Sequence, residues 1–98
     1  MNRETILTYL AAHKDEFEER FGIAPLALFG SFARDEAGEA SDIDLLIRYS
    51  NSATDAYTNK RSLKMLLEKQ FHRSVDLANE KCLKPFVREN ILRDAVYV

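Results

Sequence analysis

Two aspartates one residue apart, in Ser41-Asp42-Ile43-Asp44-Leu45-Leu46-Ile47, are the residues of this chain best placed to do chemistry. In an extended strand, residues two apart point to the same side. Asp42 and Asp44 therefore project together, while Ile43 and Leu45 turn into a core. Carboxylates side by side repel unless a cation sits between them. Oxygen-only ligands of this kind suit magnesium, which takes one or two carboxylates and fills its shell with water and substrate phosphate.

A second group lies just upstream. Gly30-Ser31 follows the apolar run Leu26-Ala27-Leu28-Phe29 and precedes a probable helical turn. Glycine lets a backbone come close to a phosphate, the helix start presents free N–H groups, and the serine hydroxyl adds a donor. Arg34, about one turn on, is within reach of the same anion or can hold the loop. A metal pair beside a phosphate cradle is the layout of phosphoryl or nucleotidyl transfer. Asp76, in Arg73-Ser74-Val75-Asp76-Leu77, offers the third carboxylate of a two-metal site. It shares a face with the others if its strand lies beside theirs. Read without chemistry, the three acids are turn, cap and surface residues.

These residues need elements to position them. Asn2 predicts the N-cap of a first helix whose apolar positions are Ile6, Leu7, Leu10, Phe17 and Phe21, and Gly22 ends it. His13 lies near that stripe as a packed or boundary residue. Leu26 to Phe29 is too short for a helix and reads as a buried strand. Ser31 to Glu36 forms a helical turn, residues 37–40 a loop, and Asp42 to Tyr49 a second strand. Asn51 to Thr54 reads as a turn or helix start. A second long helix carries Ala56, Tyr57, Leu63, Leu66, Leu67 and Phe71. Ser74 to Ala78 is a third strand. Pro85 opens a last helix with apolar positions Phe86, Val87, Ile91 and Leu92, and Ala95 to Val98 forms a marginal fourth strand. The expected fold is α/β in content, an α+β arrangement of helices on a small mixed sheet of three to four strands.

The chain has 98 residues, enough for a single domain, 1–98, with one modest core. Its 46% hydrophobic and 31% charged residues and its net charge of −2 are those of a soluble protein with no general pull toward nucleic acid. Lys60, Arg61, Lys64 and Lys69 read as a solvated helix face. The one cysteine, Cys82, excludes an internal disulfide and is expected to be a half-buried structural residue. Neither a signal peptide nor a run of about 20 apolar residues is present, which points to the cytoplasm and away from membranes. Tyr49, Tyr57 and Tyr97 are expected to pack in or at the edge of the core, rather than to serve as self-modification sites.

Gly30-Ser31, ten intervening residues and Asp42-Ile43-Asp44 resemble the signature of the DNA polymerase β-like nucleotidyltransferases. With its flanks, Phe29-Gly30-Ser31-Phe32-Ala33-Arg34 and Ser41-Asp42-Ile43-Asp44-Leu45-Leu46, the chain is similar over nearly its whole length to the minimal nucleotidyltransferases paired with HEPN-domain proteins. The resemblance implies the nucleotidyltransferase fold and a hetero-oligomer in which this chain, as antitoxin, silences a HEPN ribonuclease toxin by moving AMP from ATP onto a toxin tyrosine. It implies that Gly30, Ser31 and Arg34 bind the triphosphate, that Asp42 and Asp44 hold two magnesium ions, and that Asp76 completes the second site and helps to deprotonate the hydroxyl. Many relatives have glycine after the motif arginine. Asp35 and Glu36 stand here instead, two acids with the potential to weaken ATP binding. An antitoxin that only docks, and a small-molecule nucleotidyltransferase, are the alternatives. The absence of a second domain to shape a pocket counts against the latter.

Overall fold

A computed structural model describes residues 1–50 and 55–98. The turn expected at Asn51 to Thr54 lies outside the described residues. Helix α1 runs Arg3–Phe21, strand β1 Ile23–Phe29, the short helix α2 Gly30–Ala33, and β2 Ile43–Tyr49. Helix α3 covers Ala56–Phe71 and β3 Val75–Asn79. A 3-10 turn follows at Glu80–Cys82, then α4, Pro85–Asp94, and β4, Val96–Tyr97.

Both ends of α1 form as the sequence predicts. The Asn2 side chain accepts from the Thr5 amide at 2.9 Å, taking one donor the helix cannot satisfy. Gly22 closes the other end at φ 65°, the left-handed region where a side chain is unfavourable. α1 buries Ile6, Leu10, Phe17 and Phe21, and α3 buries Leu63, Leu67 and Phe71, stripes at three- and four-residue spacing. Both helices pack on one face of a four-stranded sheet of order β3-β2-β1-β4. That face presents Leu26, Leu28, Ile43, Leu45, Ile47, Val75 and Leu77, which join the helices in one core.

The sheet is mixed. β1 pairs antiparallel with β2 and with β4, while β2 and β3 run parallel across the α3 connection. Some boundaries differ from expectation. β1 starts at Ile23 because that residue pairs with Tyr49, with an irregular register between Ile23 and Leu26. β2 starts at Ile43, so Asp42 precedes the strand rather than opening it.

α4 forms where Pro85 predicts it, yet buries none of its side chains: it rests on β1 and α2 and leaves Phe86 75% exposed. Other expectations are corrected outright. Cys82 is exposed on the 3-10 turn, not half-buried. Tyr57, at the start of α3, is 80% exposed and Tyr97 is also exposed, whereas Tyr49 is a boundary residue whose hydroxyl donates to the Ala56 carbonyl at 2.9 Å. His13 packs at the boundary, stacked on Tyr9. Among the described residues no helix is long and apolar enough to cross a membrane.

Candidate active site

The sheet face opposite α1 and α3 carries the acids. Side chains alternate along a strand, so with Ile43, Leu45 and Ile47 in the core, Asp44 must point the other way. The same holds for Asp76 between buried Val75 and Leu77. Asp44 and Asp76 are direct partners in the parallel β2–β3 register, and Phe29, just ahead of Gly30, is the partner of Asp44 on β1. Three segments distant in sequence thus meet around Asp44.

Asp44 is half-buried, while Asp42 and Asp76 are exposed. Burial, then the nearby Asp76 and Asp42 carboxylates, push the Asp44 carboxyl above its usual range, and Arg34 pulls it weakly back. Negative charge is therefore concentrated here, with Arg34 the cation that acts on Asp44. Among the described residues, however, no three acidic, histidine or cysteine side chains are already drawn together as a metal cage. The donor chemistry still fits a hard divalent ion, since Asp42, Asp44 and Asp76 offer only carboxylate oxygens and two of the three are exposed.

Gly30 opens the turn expected to bind phosphate. Its φ is +77°, and a Cβ built on it would fall on the Asp44 carboxylate. The backbone therefore passes closer to that carboxylate than any side chain permits. Ser31, half-buried, starts the single turn of α2, whose Phe32 and Ala33 anchor it in the core. Arg34 caps that turn. Its Nε donates to Glu36 and its terminal nitrogen to Asp94 of α4, both at 3.1 Å. These two acids raise the guanidinium pKa further.

The substituted pair after Arg34 also finds a physical account. Asp35 sits at φ 57°, the left-handed region that a glycine adopts without penalty, and faces Arg3 at 4.0 Å. Glu36 is tied to Arg34.

Three contributors carried no signal in the sequence. Arg73 stacks 5.0 Å from the Phe32 ring centroid and donates to the Ser41 carbonyl at 2.8 Å, tying the loop before Asp42 to α2. Asp94 reaches Arg34 from 60 residues away. Glu80, only 5% exposed, bonds Arg48 at 2.7 Å, lies 3.9 Å from Arg88 and accepts from the Tyr97 hydroxyl at 3.1 Å.

The chain matches the nucleotidyltransferase domain family over residues 10–98. It is 37% identical over 95 residues to protein adenylyltransferase MntA of Thermococcus cleftensis, covering 97% of this chain and 94% of that protein. A solved structure described as a candidate minimal nucleotidyltransferase superposes with a TM-score of 0.80 at 35% identity, over 98% of this chain and 95% of the other. A toxin-antitoxin crystal structure with AMP-PNP shares the fold, with a TM-score of 0.68 at 16% identity, over 99% of this chain and 72% of that one. A mixed sheet with paired aspartates facing a glycine-serine turn, and kinship along almost the whole chain, place it in the nucleotidyltransferase domain family, among the minimal nucleotidyltransferases.

Proposed function

We propose that this chain transfers AMP from ATP to a tyrosine hydroxyl of a HEPN ribonuclease toxin, acting in the cytoplasm as its antitoxin. The likeness to a protein adenylyltransferase supports transfer to protein, and the fold shared with a toxin-antitoxin complex supports the setting. The observation that carries the chemistry is the facing of Asp44 and Asp76 across β2 and β3, with Gly30 pressed against Asp44.

In this reading the hydroxyl oxygen attacks the α-phosphorus of ATP. An O–P bond forms, the bond from the α-phosphorus to the bridging oxygen breaks, and pyrophosphate leaves. A tyrosine hydroxyl has a pKa of about 10 and ionises little at neutral pH. Asp76, exposed on the same face, takes its proton. The Gly30 and Ser31 amides and the serine hydroxyl bind the triphosphate, and Arg34 exchanges one of its carboxylate partners for phosphate. Asp42 and Asp44, with Asp76, would hold two magnesium ions, which when bound supply charge neutralisation at the phosphates and the hydroxyl.

The test is the intact mass of the HEPN-type protein encoded beside this chain after incubation with the chain, ATP and Mg²⁺. The expected result is a gain of one or more AMP units, lost with Asp42→Asn/Asp44→Asn. Gain with that double variant would overturn the assignment of the acids. A stable complex without gain would favour the antitoxin that only docks, the reading suggested by Arg34 being held by Glu36 and Asp94.

A further inference from the structure

A helix with no buried side chain needs an explanation, because α4 gains little from the core it borders. Phe86 is 75%, Val87 42% and Leu92 37% exposed, a concentration of apolar surface on one ten-residue element. The helix also separates two open clefts. One, of about 490 Å³, runs from Val87 and Ile91 to Phe29, Gly30 and Arg34, at the phosphate turn itself. The other, of about 500 Å³, lies between Pro85, Leu92 and the basic Arg48 and Arg88.

The charge around this surface leans positive. From 80 to 94 the chain carries four cations, Lys81, Lys84, Arg88 and Arg93, against three carboxylates, of which Glu80 is buried on Arg48 and Asp94 is held by Arg34, leaving Glu89. An apolar centre with a charged rim is the anatomy of an interface, and a basic rim selects an acidic partner.

We propose that α4 is the docking surface for the protein that receives the nucleotide, through a segment that pairs apolar side chains with flanking acids. The inference rests on the reading that this chain modifies a protein. Docking there sets the acceptor beside the Gly30 end of the sheet face, so that its hydroxyl is delivered to Asp44 and Asp76. Binding energy from a remote contact would then do the positioning.

The experiment uses the full chain, wild type and Lys84→Glu/Phe86→Glu, both exposed positions, with the HEPN-type protein as probe. Dissociation constant, KM for the acceptor, KM for ATP, melting temperature and sedimentation mass of the chain alone are measured. The expected result is a rise of roughly tenfold or more in the dissociation constant and in the acceptor KM. KM for ATP, melting temperature and the mass of the chain alone stay as in wild type. Unchanged acceptor binding by the variant overturns the proposal, as does a wild-type dimer that the variant dissolves, which assigns the surface to a second copy. Binding that depends on α4 without AMP transfer sinks the adenylylation reading and keeps the docking surface. Transfer that ignores the substitutions does the reverse, and no binding at all by wild type overturns both.

Discussion

At Gly30 the backbone conformation and the proposed catalysis both turn on a single absent atom. Its positive φ and the Asp44 carboxylate both exclude a Cβ, so Gly30→Ala is expected to lower stability by about 1–2 kcal/mol and to displace Asp44. Thermal melting alongside AMP transfer checks this, with transfer falling further than the folded fraction. Asp44 carries an electrostatic penalty of its own. Its folded pKa lies above its unfolded value, so the folded state holds the proton more tightly. Folding therefore loses stability as pH rises from the unfolded pKa through the folded one, and the loss is complete above both. Asp44→Asn should melt higher than wild type at pH 7 and no higher at about pH 3, by an amount reduced because solvent reaches the carboxylate. A variant that melts lower at pH 7 would contradict this account. The aspartates and Gly30 were legible in the sequence because their residue types sit within or directly beside short apolar strand runs. Glu80, Arg73 and Asp94 were not, because their partners come from segments 8 to 60 residues away that only the fold brings together.

At the level of elements, periodicity located every helix and strand to within a few residues, and the acids' strands proved to be neighbours, as their common face required. Periodicity located α4 but not its burial. Apolar residues at 86, 87, 91 and 92 have helical spacing, which reports that a stripe exists and not that something in the same chain covers it. What holds this end of the molecule is polar. Glu80 joins β2 through Arg48, β4 through Tyr97 and α4 through Arg88. Removing a buried carboxylate leaves its cations without their partner, a cost moderated here because both arginines are half-exposed. Glu80→Ala is expected to destabilise the fold by about 1–3 kcal/mol, seen as a lower denaturation midpoint with an unchanged slope. A midpoint equal to wild type would show that the hub is decorative.

For the whole molecule, the division of labour between the two sheet faces is the organising fact: one is filled by α1 and α3, and the other carries Asp44 and Asp76. A cation on the open face would bind the native state alone. Mg²⁺ at roughly ten times its dissociation constant should then add about 1.4 kcal/mol, roughly 5–10 °C in melting temperature for a domain of this size. Asp42→Asn/Asp44→Asn should show no such rise, and an equal rise in both would place the ion elsewhere. The sheet order also leaves β3 on an outer edge, five residues long, where the Val75 amide is taken by the Glu68 carboxylate at 3.0 Å. Open edges invite strands from other molecules, and charge along them is a common deterrent. Asp76 is the sole charge within β3, so the carboxylate assigned to the reaction also guards the protein's solubility. Neutralising it to silence the enzyme should yield a stickier protein, whose light scattering belongs beside its activity.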